Sequence, residues 1–226
     1  MNEVFAVGGL LSAFGLSSAS GLNAGLPLLV VGLLARTGHL DLGPSYSSLR
    51  STPVLVVVAV LFVVDLVGDK IPGVDHVLHT IGLAVHPIAG ALVFASQAGV
   101  ARHVPSWLAI VLGLVTAGGF HATRAAIRPA ATVMSAGLAN PVLSVLEDVS
   151  SGVLVALALV LPVVAALAVV VLAIAAWRIV RRLHRGLRWF ARLGSDARPV
   201  DPTVDTRADT PADTAADAVR RARPSS

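Results

Sequence analysis

Val153-Leu154-Val155-Ala156-Leu157-Ala158-Leu159-Val160-Leu161-Pro162-Val163-Val164-Ala165-Ala166-Leu167-Ala168-Val169-Val170-Val171-Leu172-Ala173-Ile174-Ala175-Ala176-Trp177 decides the fold class. It carries no charge and exceeds the ~20 apolar residues that a helix needs to cross the hydrocarbon core of a bilayer. Behind Trp177 come Arg178, Arg181, Arg182, Arg185, Arg188 and Arg192, with no acid among them. A basic cluster directly after an apolar run is a membrane-flanking anchor rather than a nucleic-acid surface. It places the C-terminus in the cytoplasm. The sequence reading treats the stretch as one crossing, since a proline such as Pro162 is tolerated within a membrane helix.

Working outward, the rest of the chain has the same character. Hydrophobic residues make up 55% and charged residues 13% of the 226 residues, against about 25% charged in soluble domains. Mean hydropathy is +0.81. Four further apolar stretches stand out, at Val4–Ala35, Pro53–Val67, His76–Val100 (with a kink expected at Pro87) and Ser106–Thr123. Met1-Asn2-Glu3 lacks the positive start of a signal peptide and the first stretch is too long for an h-region, so that segment is expected to be retained. The first stretch is also too long for one straight crossing. Ser20, Gly21, Asn23 and Pro27 in its middle suit a break in the helix, which membranes tolerate only where protein or a cavity satisfies the backbone. Pro129–Pro141 is weakly apolar and short, and reads either as a re-entrant half-helix or as a buried loop. The expected fold is thus an all-α, polytopic transmembrane helix bundle of about five crossings, broken or re-entrant near residues 17–27 and 130–148. It occupies residues 1–193, in the cell membrane with the lipid bilayer as its partner. Residues 194–226, rich in Asp, Thr, Ala, Pro and Arg, are expected to form a disordered cytoplasmic tail.

Five crossings put the N-terminus outside and the arginines at 36, 50 and 102 inside. Arg124 and Arg128 fall outside, against the trend. They then lie on the same side as Asp69, Lys70, Asp75, Glu147 and Asp148, as partners of acids rather than topology signals. Charge at membrane depth costs at least ~2.5 kcal/mol and is usually paired. Asp65 interrupts an apolar span and is expected to be buried and paired. Asp65 and Asp69, like Asp75 and His79, are four residues apart and share a face if helical. Asp69, Lys70 and Asp75 read equally as solvated residues at a helix end. In the segment Asn140–Asp148, Glu147 and Asp148 read either as a charge pair at a helix N-terminus or, with Asn140, as part of a polar site built with the Asp65–Asp75 segment. His121, Arg124 and Arg128 form one basic face. The expected cluster brings Asp65 and Asp69 close to Arg124 or Arg128, with Glu147 and Asp148 nearby.

His76, His79, His86 and His121 with the acids offer oxygen and nitrogen ligands, but no zinc-type spacing is present, and no metal or cofactor is assigned. The absence of cysteine excludes disulfides and thiolate sites.

Ser20-Gly21-Leu22-Asn23-Ala24, Asp69-Lys70-Ile71-Pro72-Gly73-Val74-Asp75, Pro87-Ile88-Ala89-Gly90-Ala91, His121 to Arg124 and Ser144 to Asp148 occur here in order. In these pieces the chain resembles, over about residues 4 to 175, the bacterial membrane proteins grouped as domain of unknown function 4126. The resemblance implies a membrane protein with a polar site at those positions; it implies no substrate. That family often has a glutamate where Asp65 stands, an acid at His79, an arginine at His86 and a lysine near Thr123-Arg124. These departures remove or soften charges, so the resemblance implies an altered site.

A broken first helix and a half-helix at Asn140-Pro141, with acids close to both, point to a small transporter or channel. Asp65, Asp69, Asp75, Glu147 and Asp148 outnumber Lys70, Arg124 and Arg128, which favours a cation or proton-coupled solute. A membrane-embedded enzyme acting on lipid or headgroup is the alternative, although no nucleophile stands out. A non-catalytic scaffold, its charges serving packing only, is the third reading.

Overall fold

The computed structural model describes residues 2–68, 74–135 and 138–195. Residues 1–183 form one compact unit. The expected tail from 194 onward lies almost wholly outside the described residues. Among these residues the chain is helical, with one isolated bridge, Leu42 to Gln97. The helices are α1 (Asn2–Leu22), α2 (Gly25–Arg36), a 3-10 helix (Pro44–Arg50), α3 (Thr52–Gly68), α4 (Val74–Ser96), α5 (Ala98–His103), α6 (Ser106–Ser135), α7 (Asn140–Val160) and α8 (Pro162–Ser195). This is the all-α polytopic bundle that the sequence implies. By length and composition three helices can cross a membrane (within α6, α7 and α8), or four if the bent pair Pro44–Arg50 and Thr52–Gly68 is one span. Val7–Leu22, Gly25–Arg36 and Thr80–Ser96 are shorter apolar helices.

The first break falls where proline requires it. Pro27 has no N–H to give the Asn23 carbonyl, so it sits in the first turn of α2, where amides lack helical partners anyway. Asn23 Oδ1 instead accepts the Leu26 N–H at 3.0 Å. α1 and α2 therefore double back. Gly21 of α1 lies against Ala117 and Phe120, while Gly25 lies against Phe62 and Gly32 against Leu49 and Leu55. The hairpin enters and leaves at one end of the bundle, with Asn23 at its tip. At that first end the loop after α2 joins the end of α4, where Gly43 N–H donates to Ser96 O at 2.8 Å.

Two sequence expectations are corrected. The final apolar stretch is not one helix: α7 runs to Val160, Leu161 leaves the helical region at φ −134°, ψ 69°, and Pro162 opens α8. A residue before proline is pushed out of the α conformation, and Pro162 is suited to the first helical position. Likewise α6 does not stop at Thr123 but runs through Pro129 to Ser135. The link to α7 therefore lies after Ser135, inside the expected 130–148 interval.

The hairpin and the extra helix change which loops share an end. α7 lies antiparallel to α1, with Ser151 Oγ on Ala19 O at 3.0 Å and Ala158 against Gly15. α8 returns alongside, from Ala165 near Gly15 to Ile179, which lines one cavity with Arg128 and Leu143. Arg178–Arg182 thus reach the same, second end as Arg124 and Arg128. The sequence reading puts them on opposite sides of the membrane because it counts the stretch of α1 and α2 as one crossing and that of α7 and α8 as another.

Burial runs opposite to that of a soluble protein. The core is small: Ala13, Leu16, Ala19, Ser17, Ser18 and Ser20 of α1 are at 0% exposure, while Val56, Val57, Val60, Leu167 and Val171 face outward. Small residues let membrane helices approach closely. α1 lies among α4, α6 and α7, and its buried hydroxyls are satisfied by carbonyls: Ser17 on Gly113 at 3.0 Å and Ser20 on Leu16 at 3.0 Å. Phe14 meets Phe94 edge-on at 4.9 Å.

Candidate functional site at the helix break

The break at Asn23 exposes backbone in the interior, and α4, α6 and α7 supply its partners. Asn23 is fully buried. Its Nδ2 donates to Asp148 Oδ1 at 2.9 Å. The neighbouring Leu22 carbonyl, near the unpaired end of α1, accepts from Arg124 Nη1 at 3.0 Å. Arg124 is held from two further sides. Its Nε forms an ion pair with Glu147 Oε2 at 2.7 Å, although not in hydrogen-bond alignment. Its Nη1 also donates to His86 Nε2 at 3.2 Å. Arg128, one turn further on, donates through Nη2 to the same Glu147 oxygen at 2.7 Å. One carboxylate oxygen thus sits between two guanidiniums whose side chains are 4% and 7% exposed. Removing one member of such a buried set leaves uncompensated charge, at a cost of about 3–5 kcal/mol.

His86 has a defined tautomer. Its Nδ1 lies 3.1 Å from Gly82 O, which can only accept. Nδ1 therefore carries the proton, and the Nε2 lone pair faces the arginine. His121 stacks on His86 with centroids 4.3 Å apart. Gly82 makes room, since a Cβ there would lie 3.0 Å from His121 Cε1.

Two cavities flank this network. One, about 70 Å³, lies beside Ala24 and Gly25 and is lined by Asp65, Gly82 and His86. The other, about 360 Å³, lies between α6, α7 and α8 and is lined by Arg124, Arg128 and Glu147 among apolar residues. The Arg124–His86 bond joins the two walls.

Of the residues singled out in the sequence, Asn23, His121, Arg124, Arg128, Glu147 and Asp148 meet within this network or directly against it. Asp65, partly buried, lines the smaller cavity rather than the one that holds Arg124 and Arg128. Asn140 stands apart at the start of α7, accepting from Thr132 Oγ1 at 3.1 Å. Asp69 and Lys70 lie outside the described residues, as do the side chains of Asp75 and His79, whose backbone belongs to α4. Glu147 and Asp148 are not an N-terminal charge pair: α7 begins at Asn140 and has no acid in its first turn. Sequence reasoning places His86 among possible metal ligands and as a departure from the family, not in the polar cluster, and misses Gly82 and the Leu22 carbonyl. The i, i+4 spacing of Gly82 and His86 was the available signal. Among the described residues no group of three or more His, Asp or Glu is arranged to hold a metal ion.

Residues 10–182 match the family described as Domain of unknown function (DUF4126). The chain belongs to this family. The DUF4126 match takes in the hairpin, both cavities and the whole buried network, and stops within the arginine cluster at the end of α8. No curated protein and no solved structure matches the chain.

Proposed function

We propose that this multi-pass membrane protein is a small transporter for a cation or a proton-coupled solute, bound beside the α1–α2 break. One observation carries the reading: the cavity of Asp65 and His86 lies against Ala24 and Gly25 at the break, and His86 connects it to Arg124 and hence to Glu147. Broken helices with ionisable groups at their tips are how transporters expose backbone and charge to a solute within the membrane. Ionisable residues at that depth mark ion and proton paths. Among the described interior groups Asp65, Glu147 and Asp148 outnumber Arg124 and Arg128, which favours a positive solute. A volume of about 70 Å³ suits a small ion with a few waters. Asp69, Lys70, Asp75 and His79 extend the site in this reading, and the arginine end of α8 faces the cytoplasm.

Flux into proteoliposomes tests it, with a panel of monovalent cations in the presence and absence of a pH gradient. One cation, or protons, should accumulate. Asp65→Asn should abolish that flux while the protein still elutes as a folded species. No flux for any member of the panel would defeat transport and return the network to a packing role.

A further inference from the structure

The larger cavity has a different chemistry. Its walls are Phe120 and Ile127 of α6, Leu143 and Leu146 of α7, and Leu172 and Ile179 of α8, with Arg124, Arg128 and Glu147 on one side. α8 approaches α6 and α7 closely at few points, and the space between them is a cleft with largely apolar walls. An apolar slot with a few charged groups at one end suits an amphiphile.

Charge selects the head group. From Val149 to Ser195 the chain contains no acid. Arg178 and Arg182 are exposed, and Arg182 lies one turn beyond Ile179, at the flank of the face that lines the cleft. Trp177 is 54% exposed, with the Arg181 guanidinium 3.8 Å above its ring. A half-exposed tryptophan next to arginines marks the headgroup level of a bilayer. Arg128 opens into the cleft near that level, since it shares the lining with Ile179. The slot therefore ends, beyond the paired Arg128 and Glu147, beside the exposed Arg178 and Arg182 at the depth of lipid phosphates.

We propose that the cleft between α8 and the α6–α7 pair is a binding site for one anionic phospholipid. Its chain lies along Leu172 and Leu143, and its phosphate sits at the arginine end of the cleft, by Arg182. The site is separate from the transport cavity and does not depend on the transport reading.

Native mass spectrometry of protein released from nanodiscs of phosphatidylglycerol or phosphatidylcholine, matched in chain length, tests this. Phosphatidylglycerol should stay bound in preference. Arg182→Gln, an exposed change that leaves folding intact, should weaken retention about fivefold, the effect of one basic residue at an anionic surface. Ala176→Phe fills the cleft without altering charge and should release the lipid, which lipid bound nonspecifically around the bundle would not do. Equal retention of the two lipids, or retention unmoved by Ala176→Phe, overturns the proposal. So does efficient disulfide crosslinking of Ile179→Cys between copies, which would mean that a second molecule closes the cleft.

Discussion

At Asn23 a single side chain serves a backbone amide through its oxygen and a carboxylate through its nitrogen. An aspartate could keep the first bond but would set two carboxylates against each other in the interior. Asn23→Asp should therefore destabilise the fold by at least the ~1–3 kcal/mol of an unsatisfied buried group. Combining it with Asp148→Asn should restore most of that loss, because donor and acceptor have only exchanged sides. Thermal unfolding in detergent measures both; a swap no better than the single change would mean that the pair does not hold the hairpin. Residues of this kind are legible in sequence because charge and amide groups are expensive within apolar runs. Their partnerships are not. Asn23 and Asp148 lie 125 residues apart, and which acid meets which base depends on how closely the helices pack. The tautomer of His86 is further from view still, since it follows from a carbonyl on its own helix and an arginine on another.

Among elements, three prolines show where the sequence stops informing. Pro87 and Pro129 lie inside α4 and α6, whereas Pro162 separates α7 from α8. The ring imposes the same backbone angle each time; surroundings decide the outcome. Pro87 is partly buried and faces α6, where a Cβ added to Gly118 would come within 3.6 Å of its ring. Leu161 is 50% exposed, so its own side chain is not clasped by the bundle. Glycines set the helix spacing. A Cβ on Gly90 would overlap Ala117 and stand 2.9 Å from Ser17 Oγ, so Gly90→Val should force α4 away from α6 and α1. The expected cost is about 1–3 kcal/mol or more, as for other overpacked cores. Gly152 has nothing within 4 Å of such a Cβ, and Gly152→Ala should change stability by less than about 0.5 kcal/mol. Unfolding midpoints for the two variants check the contrast, and equal effects would contradict the packing described.

For the molecule as a whole, the returning hairpin and the separate α7 and α8 place the N-terminus and the loop of Pro44–Arg50 at one end and Arg178–Arg182 at the other. The chain contains no cysteine, so single introduced cysteines report location directly. A cysteine at Ser45 should react with an impermeant maleimide from outside, and a reporter fused after Ser226 should be active only in the cytoplasmic form. Labelling of Ser45 from the cytoplasmic side would reverse the arrangement. The apolar stretches themselves are plain from composition, but the side on which each loop emerges is not, because it hangs on whether one proline ends a helix and whether one apolar stretch turns back. The hairpin also constrains biogenesis. Its tip is tied to Asp148, 125 residues downstream. At about 5–20 residues per second the ribosome delivers that partner roughly 6–25 s after Asn23 has emerged. Until α7 arrives, the Asn23 amide nitrogen is without its carboxylate, and the apex of the first two helices cannot complete its polar contacts.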